Sequence, residues 1–206
     1  MPALSGAAAS VGTVPTERQF MADRPLGHSR NRPVEIIMEL TIRNATAVDI
    51  PGIADVHVRT SQSAYRGLVL EDALTAMIPE DPLPMWERLL TDPPDMYGVL
   101  VAESAGRLAG FCSFGPARDG EAFELDTIYV DPAAQGPGSS TTLLHAAEAA
   151  MQDARATSAE LWVLEGNQHA QRFYRKHGWK SDGRIKDDVL FGAHVREVRF
   201  RKSLGS

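Results

Sequence analysis

The sequence Gln135-Gly136-Pro137-Gly138-Ser139-Ser140 connects a strand pattern to a helix pattern, and the organisation of the chain follows from it. An apolar, β-favouring segment, Phe123 to Val130, precedes it, and apolar residues at helical spacing follow it over residues 143–154. Glycines let the backbone approach a ligand closely, and a helix start offers unpaired N–H groups at the positive end of the dipole. The loop is compatible with an ordinary turn, but it also predicts an anion site, with phosphate the natural guest.

Composition limits the classes of protein to consider. The chain has 206 residues, of which 43% are hydrophobic and 23% charged, as expected for one soluble domain. A formal net charge of −6 argues against nucleic acid as the main partner. Cys112 is the single cysteine, which excludes an intrachain disulfide and favours a cytoplasmic setting. No apolar run approaches the roughly 20 residues of a membrane span, so we expect no membrane partner.

The first 37 residues differ in character from the rest. They are dominated by Ala, Ser, Gly, Pro and Arg and show no lasting apolar periodicity. We therefore expect residues 1–37 to be a disordered leader or a segment of artificial origin, and residues 38–206 to form the functional domain.

Periodicity predicts an α/β (α+β) fold. Strand patterns occupy Glu39 to Arg43, Gly98 to Glu103, Arg107 to Phe114, Phe123 to Val130, Ala159 to Leu164, Trp179 to Leu190 and Val195 to Lys202. Helical patterns begin near Asp49, Glu71 and Met85. A fourth pattern follows the glycine loop, and a fifth runs from Gln168 to His177. The order predicts a mixed, mostly antiparallel sheet of about seven strands with helices on both faces. It contains one parallel pair joined by a right-handed crossover.

Several spaced motifs together resemble the GCN5-related N-acetyltransferases, the GNAT superfamily. They are Ile128-Tyr129-Val130-Asp131-Pro132, the glycine loop, and Asn167, Ala170 and Phe173-Tyr174 followed by Gly178-Trp179. The likeness covers roughly residues 38–202. It implies a sheet splayed at its middle to admit acetyl-coenzyme A, a loop that holds the pyrophosphate, a strand that pairs with the pantetheine arm, and a tyrosine near the thiol. The cofactor-binding residues implied are Ile128, Tyr129, Val130, Gln135, Gly136, Pro137, Gly138, Ser139, Ser140, Asn167 and Tyr174.

The loop departs from the family pattern at two positions. Ser140 stands where the family has Gly or Ala, and Pro137 removes one N–H donor. Both changes favour an alternative reading, a catalytically weak acyl-coenzyme A-binding or regulatory module of the same fold. The hydroxyls of Ser139, Ser140 and Thr141 offer compensating donors.

The strand before the loop carries two candidate bases. An alkylamine with a pKa near ~10 must lose a proton before it attacks a thioester, so a carboxylate has to accept or relay that proton. Strict alternation places Glu124 and Asp126 on one side together with Ile128 and Val130. By resemblance Glu124 occupies the position of the family's base. Asp126 is the alternative, and a solvated role is open for either.

The helix that ends before Gly178 carries the candidate acid. By resemblance Tyr174 protonates the departing thiolate, whose reference pKa near ~8.5 lies below that of a phenol. A core aromatic on the inner face of the helix is the alternative reading. Asn167 can bind cofactor amides, cap the helix, or do both.

The acceptor is the least defined part of the prediction. Tyr65 and Arg66 follow the first helix, where family members line the acceptor pocket, and with Asp126 they are candidate substrate-binding residues. Arg66 could select a carboxylated or otherwise polar acceptor, although a surface arginine is as good a reading.

The histidines do not form a metal signature, and we expect no metal. Cys112 lies within a strand and reads as a small buried residue, so transfer should be direct, without an acetyl-enzyme. The resemblance thus predicts transfer of acetyl from acetyl-coenzyme A to a primary amine of a small molecule or peptide, with coenzyme A as product. An enzyme of the same fold with a longer acyl donor is a further alternative, and the C-terminal edge strands are compatible with a homodimer.

Overall fold

The computed structural model describes residues 40–118, 120, 122–134 and 138–205. The predicted leader and the loop residues Gln135, Gly136 and Pro137 lie outside this part of the chain. Among the helices of the described residues, none has both the length and the apolar character needed to cross a bilayer.

The described residues form one seven-stranded sheet with helices on both faces, as predicted. The strands are β1 Leu40–Asn44, β2 Gly98–Ser104, β3 Arg107–Pro116, β4 Phe123–Val130, β5 Ser158–Leu164, β6 Lys180–Leu190 and β7 Ala193–Ser203. The helices are α1 Ile50–Ala64, α2 Glu71–Ala76, α3 Leu83–Thr91, α4 Ser139–Asp153 and α5 Gln168–Lys176. The spatial order is β1-β2-β3-β4-β5-β7-β6, and only β4 and β5 run parallel.

Two apolar layers hold the sheet between the helices. On one face, Leu143 and Leu144 of α4 and Tyr174 of α5 join a core with β2 to β5 and β7. On the other face, α1 and α3 pack on β2 and β3, with Ile53 and Trp86 at the centre. Helices on opposite faces therefore reach β4 from both sides, which brings their side chains to the middle of the sheet.

A β-bulge in β4 changes which side chains share a face. Ser113 pairs with Thr127 and Phe114 with Leu125, so Asp126 has no residue opposite it. The alternation expected from the sequence is therefore wrong beyond Leu125, because the extra residue shifts the period of the strand. Ile128 and Val130 join the α4 side with Leu125, while Tyr129 packs on the α1 side.

The parallel pair separates soon after it forms. β4 and β5 are in register at Phe123–Ala159 and Glu124–Glu160 and at no further position of these two strands. Beyond Glu124 the edge of β4 that faces β5 is open. The fork between these strands is the splayed middle that the resemblance implies.

Candidate active site

A cavity of about 570 Å³ occupies the fork between β4 and β5. Its walls come from six elements: the end of α1, β4 from Leu125 onwards, the first turn of α4, the second half of β5, α5 and Glu197 of β7. The residues that line the cavity include Tyr65, Asp126, Tyr129, Ser140, Asn167, Tyr174 and Glu197. The topology thus joins residues that are more than 100 positions apart in the sequence.

One end of the cavity fits an elongated, anionic donor. The edge of β4 over Thr127 to Tyr129 does not pair with β5, and an extended amide chain can add to such an edge as a strand would. α4 begins after Gly138, whose φ of 98° is the left-handed conformation that glycine adopts without strain. Ser140 in the first turn of α4 lines the same cavity. Strand edge and helix start therefore suit the arm and the phosphates of coenzyme A respectively.

An ion pair fixes the chain where it leaves β4 towards the loop. One carboxylate oxygen of Asp131 accepts a hydrogen bond from the Ala133 amide at 2.9 Å, and the other accepts one from Arg59 of α1 at 2.7 Å. The Ser139 hydroxyl donates to the Ala134 carbonyl at 3.3 Å. These contacts tie both sides of the loop to the fold.

Asn167 caps α5, which is one of the two roles considered for it. Its side-chain oxygen accepts a hydrogen bond from the Ala170 amide at 3.0 Å. The residue also lines the cavity, so a contact between its amide nitrogen and a bound cofactor stays a prediction. Gly178, with a φ of 84°, ends the helical segment as expected.

Tyr174 reaches the cavity from the core of the sheet. It is 8% exposed and packs against Trp179 and Phe200, with ring centroids 6.1 and 6.4 Å away. Burial raises the pKa of its phenol, so the hydroxyl keeps its proton at neutral pH. No described residue forms a hydrogen bond with this hydroxyl. Tyr174 is thus a core aromatic that also lines the cavity, and its role as proton donor stays a prediction.

Asp126 lies on the cavity wall because of the bulge. Its carboxylate is accessible to solvent within a concave part of the surface. Desolvation, followed by the charge of Glu124, raises its pKa to about 6, although Tyr97, Arg118 and Lys186 oppose the shift. A carboxylate with this pKa is ionised at pH 7 and basic enough to accept a proton.

Glu124, unlike Asp126, lies outside the cavity wall. It is half-buried on the α1 side of β4, and it does not line the cavity. Burial raises its pKa, with Lys186 and Arg118 acting in the opposite direction. Glu124 lies close enough for its charge to raise the pKa of Asp126, which leaves a direct base and a relay both feasible.

The other end of the cavity is aromatic and acidic. The hydroxyls of Tyr65 and Tyr129 lie 3.1 Å apart, and burial raises the pKa of both phenols. Glu197 of β7 lines this end and pairs with Lys186 at 2.9 Å. Arg66 is not brought to the cavity: its side chain is 73% exposed and lies 3.7 Å from Glu71.

Sequence reasoning named neither Glu197 nor Trp162, which line the cavity, nor Tyr97, which lies close enough to Asp126 to influence its pKa. Glu197 and Trp162 come from strands treated only as parts of the sheet, and Tyr97 precedes β2. The Tyr97 ring packs over Gly115, where an added Cβ would lie 2.7 Å from Tyr97 Cδ2. Gly115 within a strand was the available signal, since a glycine there often marks a close approach.

Cys112 is buried with 0% exposure, and desolvation raises its pKa to about 12. A protonated thiol in the core is a poor nucleophile. Within the described ranges there is no group of three or more His, Cys, Asp and Glu side chains that could hold a metal ion.

Comparison with known proteins relates the whole arrangement to one family. The Acetyltransferase (GNAT) family pattern matches residues 65–179, which is more than half of the chain. Uncharacterized N-acetyltransferases Mb2688 of Mycobacterium bovis and Rv2669 of Mycobacterium tuberculosis are 38% identical over 96 residues, 46% of this chain and 58% of theirs. The chain thus spans little more than half the length of these relatives. Uncharacterized N-acetyltransferase YuaI of Bacillus subtilis is 29% identical over 77% of this chain and 90% of its own.

Solved structures share the fold. The PaiA N-acetyltransferase of Thermoplasma acidophilum in complex with coenzyme A has a TM-score of 0.62 at 21% identity, over 81% of this chain and 99% of its own. YncA of Salmonella typhimurium, a putative acetyltransferase solved with acetyl-CoA, has a TM-score of 0.59 at 21% identity, over 80% of this chain and 94% of its own. Together with the family match, the forked sheet shows that this chain belongs to the GNAT family of acetyltransferases.

Proposed function

We propose that the protein transfers the acetyl group of acetyl-coenzyme A to a primary amine of a small molecule or peptide, by direct attack. The observation that carries the proposal is the cavity at the β4–β5 fork, which joins an open strand edge to a carboxylate and a buried phenol. Family membership supports acetyl transfer, and coenzyme A bound to a protein of the same fold supports the donor.

The donor end would bind through backbone and loop groups. The edge of β4 from Ile128 to Val130 would pair with the pantetheine amides, and Asn167 of α5 would add a side-chain contact. The segment 135–140 would receive the pyrophosphate, with Gly138, Ser139 and Ser140 at the start of α4. When bound, acetyl-coenzyme A supplies the thioester carbonyl.

At the reacting end, one side chain would accept a proton and another would donate one. Asp126 accepts a proton from the acceptor ammonium, and it keeps this proton or passes it to Glu124 through water. The neutral amine nitrogen bonds to the carbonyl carbon, the carbon–sulfur bond breaks, and the nitrogen loses a further proton to solvent as the amide forms. Tyr174 then donates a proton to the sulfur, and its phenolate recovers one from solvent. We favour Asp126 over Glu124 as the direct base because Asp126 lines the cavity.

The alternative is an acyl-coenzyme A-binding or regulatory module without useful turnover. Its support is Pro137, which lacks an N–H in the loop, and Ser140, which adds bulk to the first turn of α4. A transferase with a longer acyl donor is a variant of the main proposal.

An amine-panel assay tests the proposal. Purified protein is incubated with acetyl-coenzyme A and one amine at a time: 2-phenylethylamine, ethylamine, 1,5-diaminopentane, alanine amide and a pentapeptide with a free N-terminus. Free thiol is followed by a colorimetric reagent, and the product is identified by mass spectrometry. We expect amine-dependent thiol release with a mass gain of one acetyl group. Binding of coenzyme A without turnover on any amine would favour the module, and propionyl- and butyryl-coenzyme A would reveal a longer donor.

A further inference from the structure

A side-chain hydrogen bond joins the start of α4 to the residue that follows α5. The Thr141 hydroxyl lies 3.0 Å from Nε2 of His177, and Nδ1 of His177 lies 2.8 Å from the Phe173 carbonyl oxygen. A carbonyl oxygen can only accept, so Nδ1 carries a proton and donates it. In the neutral ring Nε2 is then an acceptor, and the Thr141 hydroxyl donates to it. Both nitrogens of the ring therefore have partners.

The ring of His177 is held in place by its neighbours. It is half-buried, and its centroid lies 4.5 Å from that of Phe173 and 5.6 Å from that of His145. Thr141 is half-buried as well. Its hydroxyl, one of the compensating donors expected from the sequence, is thus directed to a partner within the protein. A donor and an acceptor that are both fixed in this way define the distance between the two helices.

The residues next to this hydrogen bond belong to the cavity. Ser140, which precedes Thr141 in the first turn of α4, lines the cavity, and so do Phe173 and Tyr174 in the last turn of α5. Neither Thr141 nor His177 is among the described residues that line it. The pair therefore connects two walls of the cavity from behind.

We propose that Thr141 and His177 are positioning residues for the donor, and that their hydrogen bond orients the first turn of α4 towards the pyrophosphate of coenzyme A. The proposal rests on the proposed function, because it takes the fork as the donor site. A helix start stabilises an anion through N–H groups that point at it. Pro137 supplies no N–H group to the loop, so the donors that follow it have to be placed accurately.

Other contacts keep α4 on the sheet without this pair. Nε1 of Trp179 donates to Glu148 at 2.8 Å, about two turns further along α4, and Lys202 pairs with the same carboxylate at 2.7 Å. Leu143 and Leu144 are buried in the core. Loss of the hydrogen bond between Thr141 and His177 should therefore loosen the first turn of α4 and leave the fold intact.

Coenzyme A affinity tests the proposal without any need for turnover. Thr141→Val removes the hydroxyl but keeps the shape of the side chain, and His177→Phe removes both ring nitrogens. His177→Gln keeps an acceptor that can reach Thr141. Thr142→Val is the matched control, because the exposed Thr142 hydroxyl donates within its own helix, to the Gly138 carbonyl at 3.1 Å. Calorimetry gives Kd for coenzyme A in each protein and in the Thr141→Val, His177→Phe double variant, and the melting temperature is measured without ligand.

Thr141→Val and His177→Phe should each raise Kd by about fivefold, the usual effect of one hydrogen bond. The double variant should bind about as well as either single variant, because both substitutions remove the same bond. Thr142→Val should keep Kd unchanged, and His177→Gln should keep it within about twofold. A purely structural role would lower the melting temperature and leave Kd as it is.

Several results would overturn the inference. They are an unchanged Kd in Thr141→Val, an equal rise in Thr142→Val, effects that add up in the double variant, or a rise in His177→Gln as large as in His177→Phe. In each case the unmodified protein still binds coenzyme A, so the proposed function is unaffected. If the unmodified protein does not bind coenzyme A at millimolar concentration, the donor site of the proposed function is wrong, and the inference falls with it.

Discussion

Replacing Glu124 by Gln distinguishes the two candidate bases of the active site. The structure indicates that Glu124 contributes negative charge close to Asp126 and that this charge helps to hold the pKa of Asp126 near 6. If Asp126 is the base, Glu124→Gln leaves the base in place and lowers its pKa. If Glu124 is the base, the same substitution removes it.

The expected loss of kcat/KM at acidic pH follows from the pKa of Asp126. The ionised carboxylate accepts the proton, so activity is present above pH 6 and is lost as the pH falls through this value. At pH 5 about one tenth of Asp126 is ionised, and kcat/KM should be about tenfold below its plateau. The alkaline limb should follow the acceptor amine, with a pKa near ~10. In Glu124→Gln the acidic limb should move to lower pH while the plateau is kept.

The assay measures kcat/KM for one panel amine between pH 4.5 and 10.5, with thiol release as the readout. Asp126→Asn should lower the plateau by roughly 10²-fold to 10⁴-fold, the usual contribution of a general base. Glu87→Gln on α3 is a matched control, since Glu87 is exposed and does not line the cavity. A loss of this size in Glu124→Gln, together with a near-normal plateau in Asp126→Asn, would refute the assignment of Asp126.

Two further outcomes are expected. Tyr174→Phe should lower kcat by roughly 10²-fold with little change in KM for acetyl-coenzyme A, because the ring stays in the core and only the proton donor is lost; an undiminished kcat would exclude Tyr174 as the acid. Burial lowers the pKa of His57 to about 4 from 6.5, so the unfolded state takes up the proton first. The contribution of His57 to the free energy of unfolding should be constant above pH 6.5 and should fall by at most about 3 kcal/mol towards pH 4. Urea unfolding of this protein and of His57→Gln checks this, and an equal slope in both would contradict it.

Most of the fold could be predicted from the periodicity of the sequence. Strand β4 and the start of helix α5 were predicted at the residues where they occur, because the β-favouring apolar residues of 123–130 and the cap Asn167 are local signals. The bulge at Asp126 was not predictable in this way. It depends on the register between β3 and β4, which adjacent residues do not encode.

The site was predictable only in part, for the same reason. Tyr174 and Asp126 lie on segments whose family motifs are contiguous, so both could be named from sequence. Glu197 reaches the cavity from the last hairpin, whose position beside β5 is a property of the sheet order. Arg66 was named as a candidate acceptor ligand because of its neighbour Tyr65, yet the end of α1 directs it to solvent.

Hydrogen exchange with and without coenzyme A tests the location of the donor site directly. If coenzyme A lies in the β4–β5 fork, amides of β4 from Thr127 to Val130 and of the first turn of α4 should exchange more slowly when it is present. The control segment β1, at the far edge of the sheet, should not change. The melting temperature should rise as well, because the ligand binds only the folded protein. Protection that avoids β4 and α4, or no protection at millimolar coenzyme A, would contradict the assignment of the fork as the acetyl-coenzyme A site.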